Sequence, residues 1–225
     1  TSTEAMGWET VAAVKTPLTQ TDFSSYIAPV LQSGADVLVL NHYGGNMVNS
    51  LTNAVQFGLR DKLVNDKNFE IVVPLYSRLM AKGAGANVKG IFGSTNWHWS
   101  LTDAGSKQFV QSFGTKYGFP PSQAAHTCYV QVMLYADAVE RAGSFNPCAV
   151  AEALEGFEFD GMGNGPTLYR AEDHQCFKDV LVVKGKENPT SEFDLLEIVE
   201  VTPVSQVTYD AAIFGGELGS CNPGA

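Results

Sequence analysis

The chain has 225 residues (24.2 kDa), 44% of them hydrophobic and 17% charged, with a formal net charge of -10 and a pI near 4.7. Its size and apolar content suffice for one large core or two small ones and argue against disorder, while the acidic balance argues against binding a nucleic-acid backbone, which needs clustered Lys and Arg. No apolar run approaches the roughly 20 residues that cross a bilayer, and no basic-then-apolar leader opens the chain, so it reads as a soluble protein whose export signal, if any, is removed or lies upstream.

Residues 16–59 read as helix, strand, glycine loop and helix in immediate succession. Asp22 is expected to cap a helix with Phe23, Tyr26, Ile27, Val30 and Leu31 on one face, and Gly34 to stop it in the left-handed conformation. Residues 35–40 are apolar apart from Asp36, as in a parallel strand covered on both faces. Asn41, His42, Tyr43, Gly44 and Gly45 then turn into a second helix with Met47, Val48, Leu51, Ala54 and Val55 inward. Ligands of open α/β sheets bind at the carboxyl ends of parallel strands, which makes this loop a candidate site.

Residues 61–68 form a polar connection to a second buried strand, 69–75; a short helix at 76–81 and a glycine-punctuated loop lead to a third strand, 88–93. Alternation of this kind implies right-handed crossovers in a parallel sheet. Three helices follow without intervening strands. Thr102 is expected to cap the first, which carries Phe109, Val110, Phe113 and Tyr117; Ser122 caps the second, which runs to Ala142; Asn146 and Pro147 open the third. On the second helix Cys128, Val132, Tyr135, Ala136 and Val139 make the expected core face, and the three helices together need an apolar surface to cover. Strands at 167–170, 177–183 and 193–201 and a surface tail complete the chain.

Cys128, Cys148, Cys176 and Cys221 never form a Cys-x-x-Cys pair, which disfavours a zinc ribbon; Cys128 reads equally as a buried thiol or as half of a bridge, and a bridge among the other three suits an oxidising compartment. His42, His98, His126 and His174 make no metal-binding pattern, and His126, in apolar company, reads as structural. There is no nucleophile elbow or Walker sequence, and the glycines of DGMGNGP read as a flexible turn. The sharper signal is Asn96, Trp97, His98 and Trp99: two indoles among Ser94, Thr95 and Ser100 combine apolar walls with placed hydrogen-bonding groups, as pockets do.

The order TDFSS, SGADVLVL, a Gly-Gly loop and a helix ending in FGL resembles the second lobe of the branched-chain amino-acid binding family, the type I periplasmic substrate-binding proteins of ABC transporters. VKGIFGSTNWHWS resembles the family's hinge strand, the stretch from KQFVQSF through AVERAG its helices, and GPTLYRAEDHQ the strand returning across the hinge. The resemblance covers nearly the whole chain from Gly7 onward and matches residues 8–14 to a strand of the second lobe. It implies a two-lobed α/β fold with parallel sheets flanked by helices, the first lobe incomplete because an N-terminal part is missing. The implied divisions are a second-lobe unit at 7–93, hinge and first-lobe helices at 94–165, returning strands at 166–201 and a tail at 202–225.

It further implies a non-enzymatic, periplasmic or extracellular protein without cofactor or metal, which delivers an amino acid or small aromatic carboxylate to an ABC permease by hinge closure. Expected ligand contacts are Asn41, His42, Tyr43, Gly44, Gly45, Asn46, Tyr76, Asn96, Trp97, His98 and Trp99, the Trp pair favouring a flat ligand as in family members that take aromatic acids. An N-terminal fragment of the same protein is the other expected partner. The alternatives are a ligand-sensing receptor domain on this scaffold and an α/β enzyme whose catalytic motif lies in the missing part.

Overall fold

A computed structural model of the chain describes residues 2–213 and 218–221. In chain order the helices and strands are α1 (Ser2–Ala5), α2 (Ser24–Ile27), β1 (Val37–Val39), α3 (Gly45–Gln56), β2 (Leu63–Val64), β3 (Lys67–Asn68), β4 (Glu70–Val73), α4 (Arg78–Ala84), β5 (Phe92–Thr95), α5 (Ala104–Tyr117), α6 (Gln123–Ala142), α7 (Pro147–Leu154), β6 (Glu158–Phe159), β7 (Thr167–Tyr169), β8 (Cys176–Phe177), β9 (Val180–Gly185), β10 (Leu196–Thr202) and α8 (Val204–Val207). The principal sheet has the order β1-β4-β5-β9-β10, with β1/β4 and β4/β5 parallel; β6, β7 and β8 make a separate antiparallel sheet. The chain divides into two compact units, Thr1–Ser94 with Val183–Glu197 and Thr95–Val182 with Ile198–Ala225. The divisions fall inside β5, β9 and β10, so the chain passes between units three times.

In unit 1, α3 buries Met47, Ser50, Leu51 and Ala54, and α4 is capped by the Ser77 hydroxyl, which accepts from the Met80 amide. Gly93 of β5 is required by close approach. A Cβ there would lie 2.4 Å from the Val73 carbonyl oxygen and 2.6 Å from the Tyr76 Cβ, so the absent side chain leaves the space that Tyr76 occupies. Residues 61–68 are more ordered than a polar connection: β2 and β3 pair as a hairpin turned by Asn65 and Asp66, both at positive φ.

Residues 8–14 align with a family strand that the resemblance places before the 16–59 unit, but they form none; residues 3–15 are exposed throughout. Alternation of Trp8, Thr10, Ala12 and Val14 stabilises a strand only when one face is buried, and no described element covers this one. The helix expected after Asp22 is likewise shorter, a single turn of α2 continued as a 3₁₀ stretch at Ala28–Gln32, although Asp22 does accept from the Ser24 amide.

In unit 2, α5 is capped by Asp103 rather than Thr102. The Asp103 Oδ1 accepts from the Ser106 amide at 2.8 Å, and an ionised acceptor suits the positive end of the helix better than a hydroxyl. Helix α6 starts at the expected cap, Ser122, and α7 at Asn146 and Pro147. The buried face of α6 is His126, Val130, Leu134 and Ala138, packed on α7, not the expected face. Val132 is 67% exposed, and Tyr129, Met133, Tyr135 and the Cys128 thiol also face solvent. The helix is apolar on two sides, so periodicity alone does not decide which one meets the core. Cys148 and Cys221 form the disulfide; Cys128 and Cys176 are free thiols. Residues 214–217 and 222–225, part of the expected tail, lie outside the described residues.

Candidate functional site

The 41–46 loop follows the carboxyl end of β1 and feeds directly into α3. Gly44, at φ +60, makes the turn, and no side chain caps the helix. His42 is half-buried: its Nε2 lies 3.1 Å from the Thr16 hydroxyl and its Nδ1 2.9 Å from the Ser50 hydroxyl, with the Phe23 ring alongside. Burial holds this imidazole below its ordinary pKa, so it is neutral at pH 7. Asn46 donates to the Leu18 carbonyl at 3.0 Å, tying the loop to the segment before α2. Asn41, Tyr43 and Gly45 are exposed, and Tyr43 shows 54% of its surface.

Tyr76 lies beyond the carboxyl end of β4, the strand next to β1, and its amide donates to the Ser94 carbonyl at 2.8 Å. Its side chain is buried and its hydroxyl has no hydrogen-bond partner among the described residues; burial raises the phenol far above its ordinary pKa. Loop 41–46 and Tyr76 therefore stand at the same end of two adjacent parallel strands of unit 1.

Asn96, Trp97, His98 and Trp99 belong to unit 2. Trp97 is completely buried: its indole stacks on His126 with centroids 4.4 Å apart, meets Phe109 edge-on and donates to the Ser106 hydroxyl at 2.9 Å. His98 is buried too, with Nδ1 2.7 Å from the Ser100 hydroxyl, whereas Trp99 is half-exposed with a buried indole N–H that no described group accepts. Asn96 donates to the Thr127 hydroxyl at 3.3 Å and borders a cavity of about 350 Å³, lined also by Gln131, Cys176, Lys178 and Tyr209. Burial lowers the Lys178 amine below its ordinary pKa and raises the Cys176 thiol. These lining residues come from separate segments without a shared local pattern, so nothing in the sequence gathers them.

His126 packs structurally: Nε2 lies 2.6 Å from the Met162 carbonyl oxygen, which identifies the neutral Nε2–H tautomer as the donor, and burial pushes its pKa down to about 4. The DGMGNGP turn is packed, not flexible. A Cβ on Gly163 would lie 2.4 Å from the Ser106 hydroxyl and 3.1 Å from the Trp97 indole nitrogen. No cluster of metal-ligating side chains occurs among the described residues, and no helix among them is long and apolar enough to cross a membrane.

A parallel sheet with loops poised at adjacent strand ends, joined to a helical unit by three chain crossings, defines an α/β binding scaffold. The chain belongs to the periplasmic binding protein family, whose profile matches residues 1–190. Among solved structures it is similar to an amino acid ABC transporter substrate-binding protein from Pseudomonas fluorescens Pf-5, with a TM-score of 0.79 and 22% identity over 93% of this chain and 54% of that one. A periplasmic binding protein from Burkholderia mallei gives a TM-score of 0.79 and 25% identity over 92% and 54%. A solute-binding protein of an ABC transporter from Rhodopseudomonas palustris HaA2, solved with p-hydroxybenzoic acid, gives 0.76 and 18% over 89% and 54%. The chain thus spans about half the length of these relatives.

Proposed function

We propose that the protein captures a small organic solute outside the cytoplasm, an amino acid or an aromatic carboxylate, and presents it to an ABC permease without chemical conversion. Family membership over residues 1–190 is the observation that carries this reading. Neighbours solved as an amino acid transporter component and with p-hydroxybenzoic acid suggest the two solute classes. The candidate contacts in unit 1 are Asn41, His42, Tyr43, Gly44, Gly45, Asn46 and Tyr76: exposed amides and a phenol ring, beside backbone N–H groups at an uncapped helix start, suit a carboxylate attached to an apolar body. In unit 2 they are Asn96, Trp97, His98 and Trp99, of which Trp99 is the indole with accessible surface, whereas Trp97 is fully buried.

Capture works by hinge closure. Solute contacts that exist only in the closed state are what favour it, since only a difference in affinity between two states shifts their balance. The exposed Tyr129, Val132, Met133 and Tyr135 on α6 are an apolar surface against which an N-terminal fragment would pack. The test is native mass spectrometry of the protein purified without denaturation, followed by thermal-shift screening against amino acids and hydroxybenzoates. A retained or stabilising solute released unchanged supports the reading; absence of any shift across both classes, or conversion of the solute, overturns it.

A further inference from the structure

We infer that Asn164 and Asp179 form a polar clamp that gathers the unit 2 ends of all three chain crossings and so fixes where the hinge can bend. Asn164 sits in the DGMGNGP turn at φ +62 with only 5% of its surface exposed. Its single amide nitrogen donates to two carbonyls, that of Asn96 and, at 2.8 Å, that of Asp179. Asn96 lies just beyond the first crossing, at Ser94 and Thr95, and Asp179 just before the second, at Val182 and Val183. The third crossing, at Glu197 and Ile198, runs on to Val204, whose amide donates to the Asp179 carboxylate at 2.8 Å. One side chain therefore holds two crossings, and its partner residue holds the third.

The turn is built to press Asn164 into this position. Lys178 donates to the Gly163 carbonyl at 3.3 Å, and a Cβ on Gly165 would lie 2.9 Å from the Asp179 carboxylate oxygen. A Cβ on Gly105, in the first turn of α5, would meet the Gly161 carbonyl at 2.1 Å, so the turn is also seated directly against that helix. A buried amide that satisfies two carbonyls is costly to displace, because both acceptors would be left unpaired. With these three segments tied together, bending is confined to the crossing residues between the clamp and unit 1. Asn164 and Asp179 act as positioning residues. The hinge role rests on the closure proposed above, whereas the clamp does not.

Hydrogen–deuterium exchange on the solute-free protein tests it with two variants. Asn164→Gly keeps the left-handed backbone and removes the amide; Asp179→Ala removes the acceptor for Val204. With Asn164→Gly, exchange in peptides covering 94–99 and 178–184 is expected to accelerate at least tenfold, and with Asp179→Ala in peptides covering 202–206, while α6 and β4 exchange as in the parent. Unchanged exchange at the crossings in a folded variant overturns the proposal. So does acceleration spread evenly through unit 2, which would make these residues general packing elements. Should Asn164→Gly fail to fold, Asp179→Ala alone decides by the same readout. Solute binding is measured separately, so failure of the proposed function leaves this result readable.

Discussion

The imidazole of His126 lies parallel to the indole of Trp97, ring centroids 4.4 Å apart and planes within 4°, so that a residue of α6 and one just past β5 share a single stacked core. The edge of Phe109 closes the same cluster. Trp97→Ala removes its largest member, and truncation of a buried aromatic side chain of this size costs about 3–5 kcal/mol. Chemical denaturation monitored at unit 2 is expected to show a loss in that range; a loss under about 1 kcal/mol would mean that Trp97 does not support the core.

The same ring pair makes stability depend on pH. His126 titrates at about 4 in the folded chain and near the ordinary histidine value when unfolded, so the unfolded state binds the extra proton between those values. The contribution is fully present above pH 6.5, declines as pH falls through the window and is gone below about 4. The expected loss is about 3 kcal/mol across it. His126→Phe keeps a stacked ring without the proton and is expected to flatten this slope in denaturation curves recorded from pH 7 to pH 4. A slope equal to the parent's would assign the effect to other groups.

Tyr76 buries a hydroxyl that no described group accepts. Tyr76→Phe relieves an unpaired buried polar atom and is expected to leave the solute-free protein as stable as the parent or more stable by about 1 kcal/mol. If the solute supplies the missing partner, the same variant binds it several-fold more weakly. Denaturation without solute and calorimetry with it separate the two effects.

The Cys148–Cys221 bridge joins residues 73 apart, and its removal by Cys148→Ser is expected to cost about 2–4 kcal/mol, chiefly by freeing the unfolded chain. Cys128→Ser and Cys176→Ser leave the bridge intact. Non-reducing peptide mapping should recover the 148–221 pair and two alkylatable thiols, at Cys128 and Cys176; any other pairing contradicts the structure.

The boundaries of the unit at 16–59 were legible because the Gly34 stop, the apolar run before Asn41 and the Gly44 turn mark them independently, but β1 is an edge strand with Val39 exposed, not the strand covered on both faces that its apolar run suggested. Residues 8–14 misled because the strand that the resemblance matches there forms only when something buries one of its faces. Helix α6 misled for the opposite reason, having apolar residues on both sides and a core face set by α7 and Trp97, which no local pattern encodes. The aromatic segment at 96–99 was legible as important but not divisible. Trp97, enclosed by His126, Phe109 and Ser106, and Trp99, half-exposed, look alike in sequence, and only long-range packing tells core from surface. Asn164 was hidden in a turn whose glycines read as freedom, although two of them, Gly163 and Gly165, are there to let backbone and side chains approach closely.

Calorimetric titration of the complete protein with its identified solute, for the parent and for Tyr43→Ala, Trp99→Ala and Lys67→Ala, tests solute capture by these residues most directly. Truncating an aromatic anchor is expected to cost about 2 kcal/mol, roughly thirtyfold in Kd, for Tyr43→Ala or Trp99→Ala, and nothing measurable for the exposed Lys67→Ala. A parent that binds no amino acid or aromatic carboxylate, or folded Tyr43→Ala and Trp99→Ala variants that both bind as tightly as the parent, would contradict the account.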